Sequence, residues 1–272
     1  MIRTGFSWAL IIAMGALAQG CLAVTSMTKA DTLGKGNFDV GADAEYFGGF
    51  VTGSSGTSVS LPSVNLGAHY GVTDSFDIGG RIGGTLIELQ TKILLTDKTS
   101  NFVLSLGPSV GGFFLSASGD TVGIASIGIP LYIGYKFGAN ELTVTPRVQN
   151  VIIFEGTSGS GSSSNGTIYS FMPGLSLGFT FHISDNFELT PEAGFVLPAF
   201  ATANLNGQSA TGAGLGGSVI FNIGLGARFG RLGQKPAFEP APPPGQQAPP
   251  PPPPPPPSGG QGEVPPPPPP PP

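Results

Sequence analysis

From Phe38 to Tyr46 apolar and polar residues alternate without a break: Phe38, Val40, Ala42, Ala44 and Tyr46 against Asp39, Gly41, Asp43 and Glu45. A period of two marks a β-strand, because successive strand side chains point to opposite faces. One face of this strand is apolar throughout, and the other carries three carboxylates. The alternation returns over Val64–Val72, Phe76–Ile82, Ile87–Ile93, Phe102–Val110, Ile127–Phe137, Leu142–Val148, Phe171–Phe181, Phe187–Phe195 and Phe221–Phe229, which predicts ten strands. After the first twenty residues no apolar run reaches the ~18 residues of a membrane-spanning helix.

The connections fall into two alternating sets. Val72–Ser75, Leu95–Asn101, Gly138–Asn140 and Ile183–Asn186 are short, whereas Thr52–Ser58, Ser116–Asp120, Gly156–Thr167 and Ala201–Gly214 are mostly longer and rich in Gly, Ser and Thr, with a short Gly83–Thr85 among them. Aromatic residues gather at both strand ends. Tyr70, Phe76, Phe102, Tyr135, Phe137, Phe181, Phe187 and Phe229 stand at the short turns, and Phe47, Phe50, Phe114, Phe154, Tyr169, Phe171 and Phe200 stand toward the loops. Two aromatic belts suit the two interfaces of a bilayer and have no purpose in a soluble sandwich. The fold class expected is all-β, a membrane-spanning up-and-down antiparallel β-barrel of about ten strands. An even strand count puts both termini on one side, with the first strand pairing the last. Asp39 and Arg228 then become inward-facing neighbours at one rim.

Gly71–Gly79 (G-V-T-D-S-F-D-I-G) and His182–Thr190 (H-I-S-D-N-F-E-L-T) share one turn pattern, so a single hairpin unit is used twice. Tyr70–Gly83 resembles a strand–turn–strand of the small β-barrel proteins of the Gram-negative outer membrane. Phe221–Phe229 resembles the signal read by the barrel-assembly machinery, with Ala227 where a bulkier residue is usual. The resemblance covers roughly residues 37–230 and specifies a fold class without an activity. It implies an outer-membrane location, outer-membrane lipid and the barrel-assembly machinery as partners, short turns in the periplasm, and both termini there.

Arg3 followed by apolar Phe6–Ala18 reads as a signal peptide over residues 1–20. Leu17–Cys21 (L-A-Q-G-C) resembles the lipobox of bacterial lipoproteins, which implies lipidation at Cys21, although Ala18 and Gln19 depart from the usual pattern. Cleavage after Ala16-Leu17-Ala18 is the rival. Cys21 is the sole cysteine, so it has no disulfide partner within the chain. Residues 21–36 read as a periplasmic tether and 37–230 as the barrel. Residues 231–272 read as a disordered Pro-rich tail, holding 22 of the chain's 29 prolines. Proline fixes φ and lacks the N–H donor, so the tail takes extended polyproline II and packs no core.

Composition narrows the function. Charged residues are only 10% of the chain and the net charge is −5, with no basic cluster, so no nucleic-acid partner is expected. Strand parity turns Asp39, Asp43, Glu45, Arg81, Glu88, Arg147, Glu192 and Arg228 into a barrel lumen, together with His69, Asp77, Lys92, Lys136, Glu141, His182 and Glu188. Such charges either pair with one another across neighbouring strands or form a constriction that selects ions by sign. His69 and His182 lie on distant strands, and a shared metal would need further Cys or His ligands. Gly212–Gly217 matches G-x-G-x-x-G, yet a strand follows where a nucleotide site needs a helix. No cofactor, metal or catalytic residue is expected, and the chain does not read as an enzyme. The expected function is a narrow, porin-like channel for ions or small solutes. The alternative is a structural protein linking the membrane to the cell wall or a periplasmic proline-binding partner through its tail, and a barrel enzyme comes third.

Overall fold

The computed structural model describes residues 25–230, apart from 52–56, 84–85, 118–119, 160–161, 206–207 and 213–218. The signal peptide, Cys21, the G-x-G-x-x-G stretch after Gly212 and the proline-rich segment 231–272 lie outside the described residues. The chain forms one antiparallel sheet from β1 (Phe38–Val51), β2 (Thr57–Gly71), β3 (Phe76–Gly83), β4 (Leu86–Leu94), β5 (Phe102–Leu106), β6 (Ser109–Ala117), β7 (Asp120–Phe137), β8 (Asn140–Gly159), β9 (Ser162–Ser184), β10 (Phe187–Val196), β11 (Phe200–Leu205), β12 (Gln208–Gly212) and β13 (Val219–Gly230). Counting β5 with β6, β10 with β11, and β12 with β13 as one wall strand each, the wall has ten.

The sheet closes on itself. β13 pairs with β10 on one side and with β1 on the other, in a continuous register from Asp39↔Gly230 to Phe50↔Val219. Closure is obligatory in lipid, where each unpaired backbone amide costs several kcal/mol. The expected pairing of first and last strands is therefore met.

Two interruptions of the wall have local causes. Between β5 and β6, Gly107 and Pro108 leave the register against β4 and β7 unchanged. Pro108 has no N–H to give, and its carbonyl accepts from the Thr91 N–H at 3.0 Å. Between β10 and β11 the register against β9 slips by one residue around Pro198, from Val196↔Gly174 to Phe200↔Phe171. A one-residue bulge reverses the side-chain faces. Val196 accordingly points inward and Phe200 points out.

The faces are inverted relative to a soluble protein. Ile87 is 64% exposed and Val64 62%, while Asp43 is wholly buried. Aromatics with outward side chains mark both rims, including Phe38, Tyr70, Phe102 and Phe229 at the turns and Tyr46, Phe114 and Tyr169 toward the loops. Phe47 departs from the belt expected of it: at 4% exposure it faces inward, on the parity of Asp39, Asp43 and Glu45. The turns are tied locally. The Asp97 carboxylate accepts from the N–H and hydroxyl of Thr99, which hold it below the usual carboxylate range.

The largest departure from the sequence reading is the stretch before β1. Residues 21–36 were expected as a periplasmic tether, yet Thr25–Leu33 runs inside the barrel, with all but Thr28 buried. The chain reverses through Gly34 (φ +85°) and Gly36 (φ +79°), then enters β1. Gly36 N–H donates to the Gly71 carbonyl, and Gly71 N–H to the Asn37 carbonyl, each at 2.8 Å. Gly71 admits this reversal, since a Cβ there would lie 2.0 Å from the Gly34 carbonyl oxygen.

Gly36 isolates backbone strain from crowding, because a Cβ built on it meets nothing within 4 Å. Gly36→Val is expected to cost about 1–3 kcal/mol from the left-handed conformation alone. Gly36→Asn should cost less, because Asn tolerates that region better. Urea unfolding in detergent micelles, followed by far-UV circular dichroism, measures both.

Candidate functional site: the barrel lumen

Every second residue of each wall strand points into a closed, narrow tube, and there the charges meet. Asp43 accepts two hydrogen bonds from Arg228, at 2.7 and 3.1 Å. Asp39 does not take Arg228; it binds His69 Nδ1 at 2.9 Å, and His69 Nε2 meets Gln90 at 3.0 Å. Arg81 donates to Glu88 through Nε and Nη2, at 3.1 and 2.8 Å, and to Glu45 at 3.2 Å. Glu45 also accepts from Asn222 at 3.0 Å. Arg147 lies 3.7 Å from Glu192 and donates to the Ser176 hydroxyl at 3.2 Å. All eight lumen charges singled out from the sequence thus face inward, and each has an opposite charge or ring nitrogen within 4 Å. His182 lies on β9 beside Glu188, at 3.4 Å, while His69 lies on β2.

The rest of the tube is occupied by Thr25–Leu33. Glu192 accepts the N–H groups of Ser26 and Met27, Glu141 that of Ala30, and Asp77 that of Leu33. Lys29 pairs with Glu188 at 2.8 Å, and Asp31 with Lys136 at 2.8 Å. Two cavities of about 20 Å³ flank the segment, one near His69 and Lys92 and the other near Arg147 and Gln149. Each has room for roughly a single water.

Toward the loops the lumen changes character. Phe47, Ile124, Val151, Met172 and Val196 are buried against one another, with Phe113, Ile153 and Ile220 packed on them. These side chains come from β1, β6, β7, β8, β9, β10 and β13, so they converge from most of the circumference. The lumen therefore has two layers, an ionic one filled by the chain's own segment and an apolar one above it.

The apolar layer is legible in strand parity. Phe47 continues the parity of Glu45, Val151 that of Arg147, and Val196 that of Glu192. The aromatic belt predicts Phe47 at an interface while its parity with Glu45 predicts it inside, and parity prevails. The segment carried no such signal, since Ser26-Met27-Thr28-Lys29 has no period and its partners lie far off in sequence.

No protein-family model matches the chain, and no curated protein sequence matches it. Similar solved structures include the outer membrane protease OmpT from Escherichia coli, at 9% identity, covering 71% of this chain and 96% of that one with a TM-score of 0.41. The translocator domain of autotransporter NalP from Neisseria meningitidis matches at 12% identity, covering 84% and 96%, TM-score 0.41. The outer membrane protein OprG from Pseudomonas aeruginosa matches at 10% identity, covering 73% and 99%, TM-score 0.36. At these identities the likeness does not extend to activity.

The Asp43–Arg228 pair bridges the seam that closes the barrel. Asp43→Ala leaves a buried guanidinium without its carboxylate and is expected to cost about 3–5 kcal/mol. Replacing both partners by apolar residues, Asp43→Leu with Arg228→Met, should cost well under the sum of the single changes. A double-mutant cycle by urea unfolding in micelles reads the difference.

Proposed function

We propose that this chain is a bacterial outer-membrane barrel that is closed at rest and acts as a structural membrane anchor. Its surroundings are outer-membrane lipid, and it reaches them through the barrel-assembly machinery. Both termini belong to the periplasmic side in this reading, and residues 231–272 supply the contact with the cell wall or a proline-reading partner. The reading assigns the chain no catalysis.

The observation carrying this proposal is the apolar layer around Phe47, Val151 and Met172. A conducting lumen keeps polar, wetted side chains along its length, whereas apolar constrictions exclude water and ions. Ten strands make a thin barrel, and here side chains meet across it.

A gated channel is the second reading, and the lumen charges favour it. Eight inward acids face five inward arginines and lysines among the described residues, while Lys29 and Asp31 of the segment offset one another. A lumen opened by withdrawal of the segment and parting of the apolar layer would prefer small cations.

The same reading includes a lipid anchor at Cys21, supported by the lipobox-like Leu17–Cys21. Intact mass is expected to show a mature chain that begins at Cys21 and carries acyl chains, and Cys21→Ala should abolish that mass.

Planar-bilayer recording of the refolded full-length protein separates the two functional readings. The anchor predicts a flat baseline, and Phe47→Ala with Met172→Ala, combined with deletion of residues 25–33, is expected to raise conductance in discrete, cation-preferring steps. Steady conductance from the unaltered protein at low voltage would overturn the anchor reading.

A further inference from the structure

Thr25–Leu33 is held as a ligand is held, by groups that the wall does not need for its own closure. Its main chain is read by both kinds of partner. Carboxylates of Glu192, Glu141 and Asp77 accept four of its N–H groups, while the Ser105 hydroxyl donates to the Ala30 carbonyl at 2.6 Å and the Lys92 ammonium to the Lys29 carbonyl at 2.6 Å. Such main-chain contacts set affinity whatever the side chains are, whereas pockets for side chains set specificity.

The pockets are present too. Met27 lies over Gly224 and Gly226, where a Cβ would come within 2.0 Å of its Cε and 2.7 Å of its Cβ. Ala30 lies over Gly134, where a Cβ would stand 2.7 Å from its own. Glu188 meets Lys29 and Lys136 meets Asp31. Notch, acid, notch and base therefore follow one another in the order Met27, Lys29, Ala30, Asp31. A lumen shaped merely to be filled needs no such order; bulkier wall residues at the three glycines would fill it.

We propose that the turn-side half of the lumen is a peptide-binding site, specific for a polypeptide carrying Met-Thr-Lys-Ala-Asp in a bent conformation with Met27 at φ +49°, and that the chain's own segment occupies it reversibly. Reversal is physically accessible because the seat is mostly polar, its apolar part being the small patch of Leu94, Val103 and Tyr132 under Ala30. Glu192 keeps Arg147 nearby and Glu188 keeps His182 when the segment leaves, and water reaches the remaining groups from the rim. The hinge is the reversal at Gly34 and Gly36. While the segment is covalently attached its effective concentration is on the order of millimolar, so it outcompetes a dilute peptide from outside. Once severed it is an ordinary ligand, and an identical segment from a second copy of the chain competes on equal terms.

The test severs the tether in the full-length protein. A protease recognition sequence is inserted at Lys35, the protein is refolded in detergent, the segment is fluorescently labelled, and the site is cut. The expected result is that the label stays with the barrel through gel filtration and is displaced saturably by an unlabelled synthetic peptide of residues 25–34. A peptide with Met27→Asp and Lys29→Glu should displace it at least 10-fold less well. Gly226→Leu, which blocks the notch, should release the label at cleavage while the barrel keeps its heat-dependent shift in electrophoretic mobility. The proposal is overturned if the label separates on cleavage without the block. It is equally overturned if excess peptide never displaces the label, or if the charge-reversed peptide competes as well as the parent. Peptide retention is read without conductance, so failure here leaves both functional readings standing.

Discussion

Everything in this molecule depends on a sheet without an edge. A strand in hydrocarbon has no water to satisfy its amides, so the pairing of β1 with β13 is a condition for the other walls to exist in a bilayer. Once the sheet is closed, alternation has a single meaning. One parity meets lipid, as Val64 and Ile87 do, and the other meets a lumen only a few side chains wide. Charges that would be solvated on a soluble sheet are forced into each other's company, which is why Arg81 sits between Glu45 and Glu88 and why Asp43 grips Arg228 across the seam.

The narrowness of the tube then decides its contents. Wall glycines create volume on the turn side, and the chain returns through Gly34 and Gly36 to use it. Toward the loops the inward residues become large and apolar, and they meet without help. These two fillings are chemically different. The ionic layer is made of groups that water can replace, and the apolar layer excludes water by packing. The anchor proposal rests on the apolar half and the peptide-site proposal on the polar one.

The periodicity of two was strong enough to reveal strand identity, strand number and the inward placement of Asp39, Asp43, Glu45, Arg81, Glu88, Arg147, Glu192 and Arg228, because each of these follows from local geometry. The apolar layer follows from the same rule, Phe47 being an aromatic near a strand end whose parity nonetheless turns it inward. Partner choice was harder to read. Asp39 and Arg228 are neighbours at the seam, yet side-chain length and stagger give Asp39 to His69 and Arg228 to Asp43.

Alternating hydrophobicity by itself thus determined a membrane-spanning barrel with a charged interior, since a strand's two faces are written in adjacent residues. Tertiary structure alone decided that the interior is filled, and by what. Thr25–Leu33 has no periodicity of its own; its conformation comes from Glu192, Glu141, Asp77 and Lys136, which lie 44 to 166 residues away in the chain. A segment that takes its shape from a cavity can be read only after the cavity has closed.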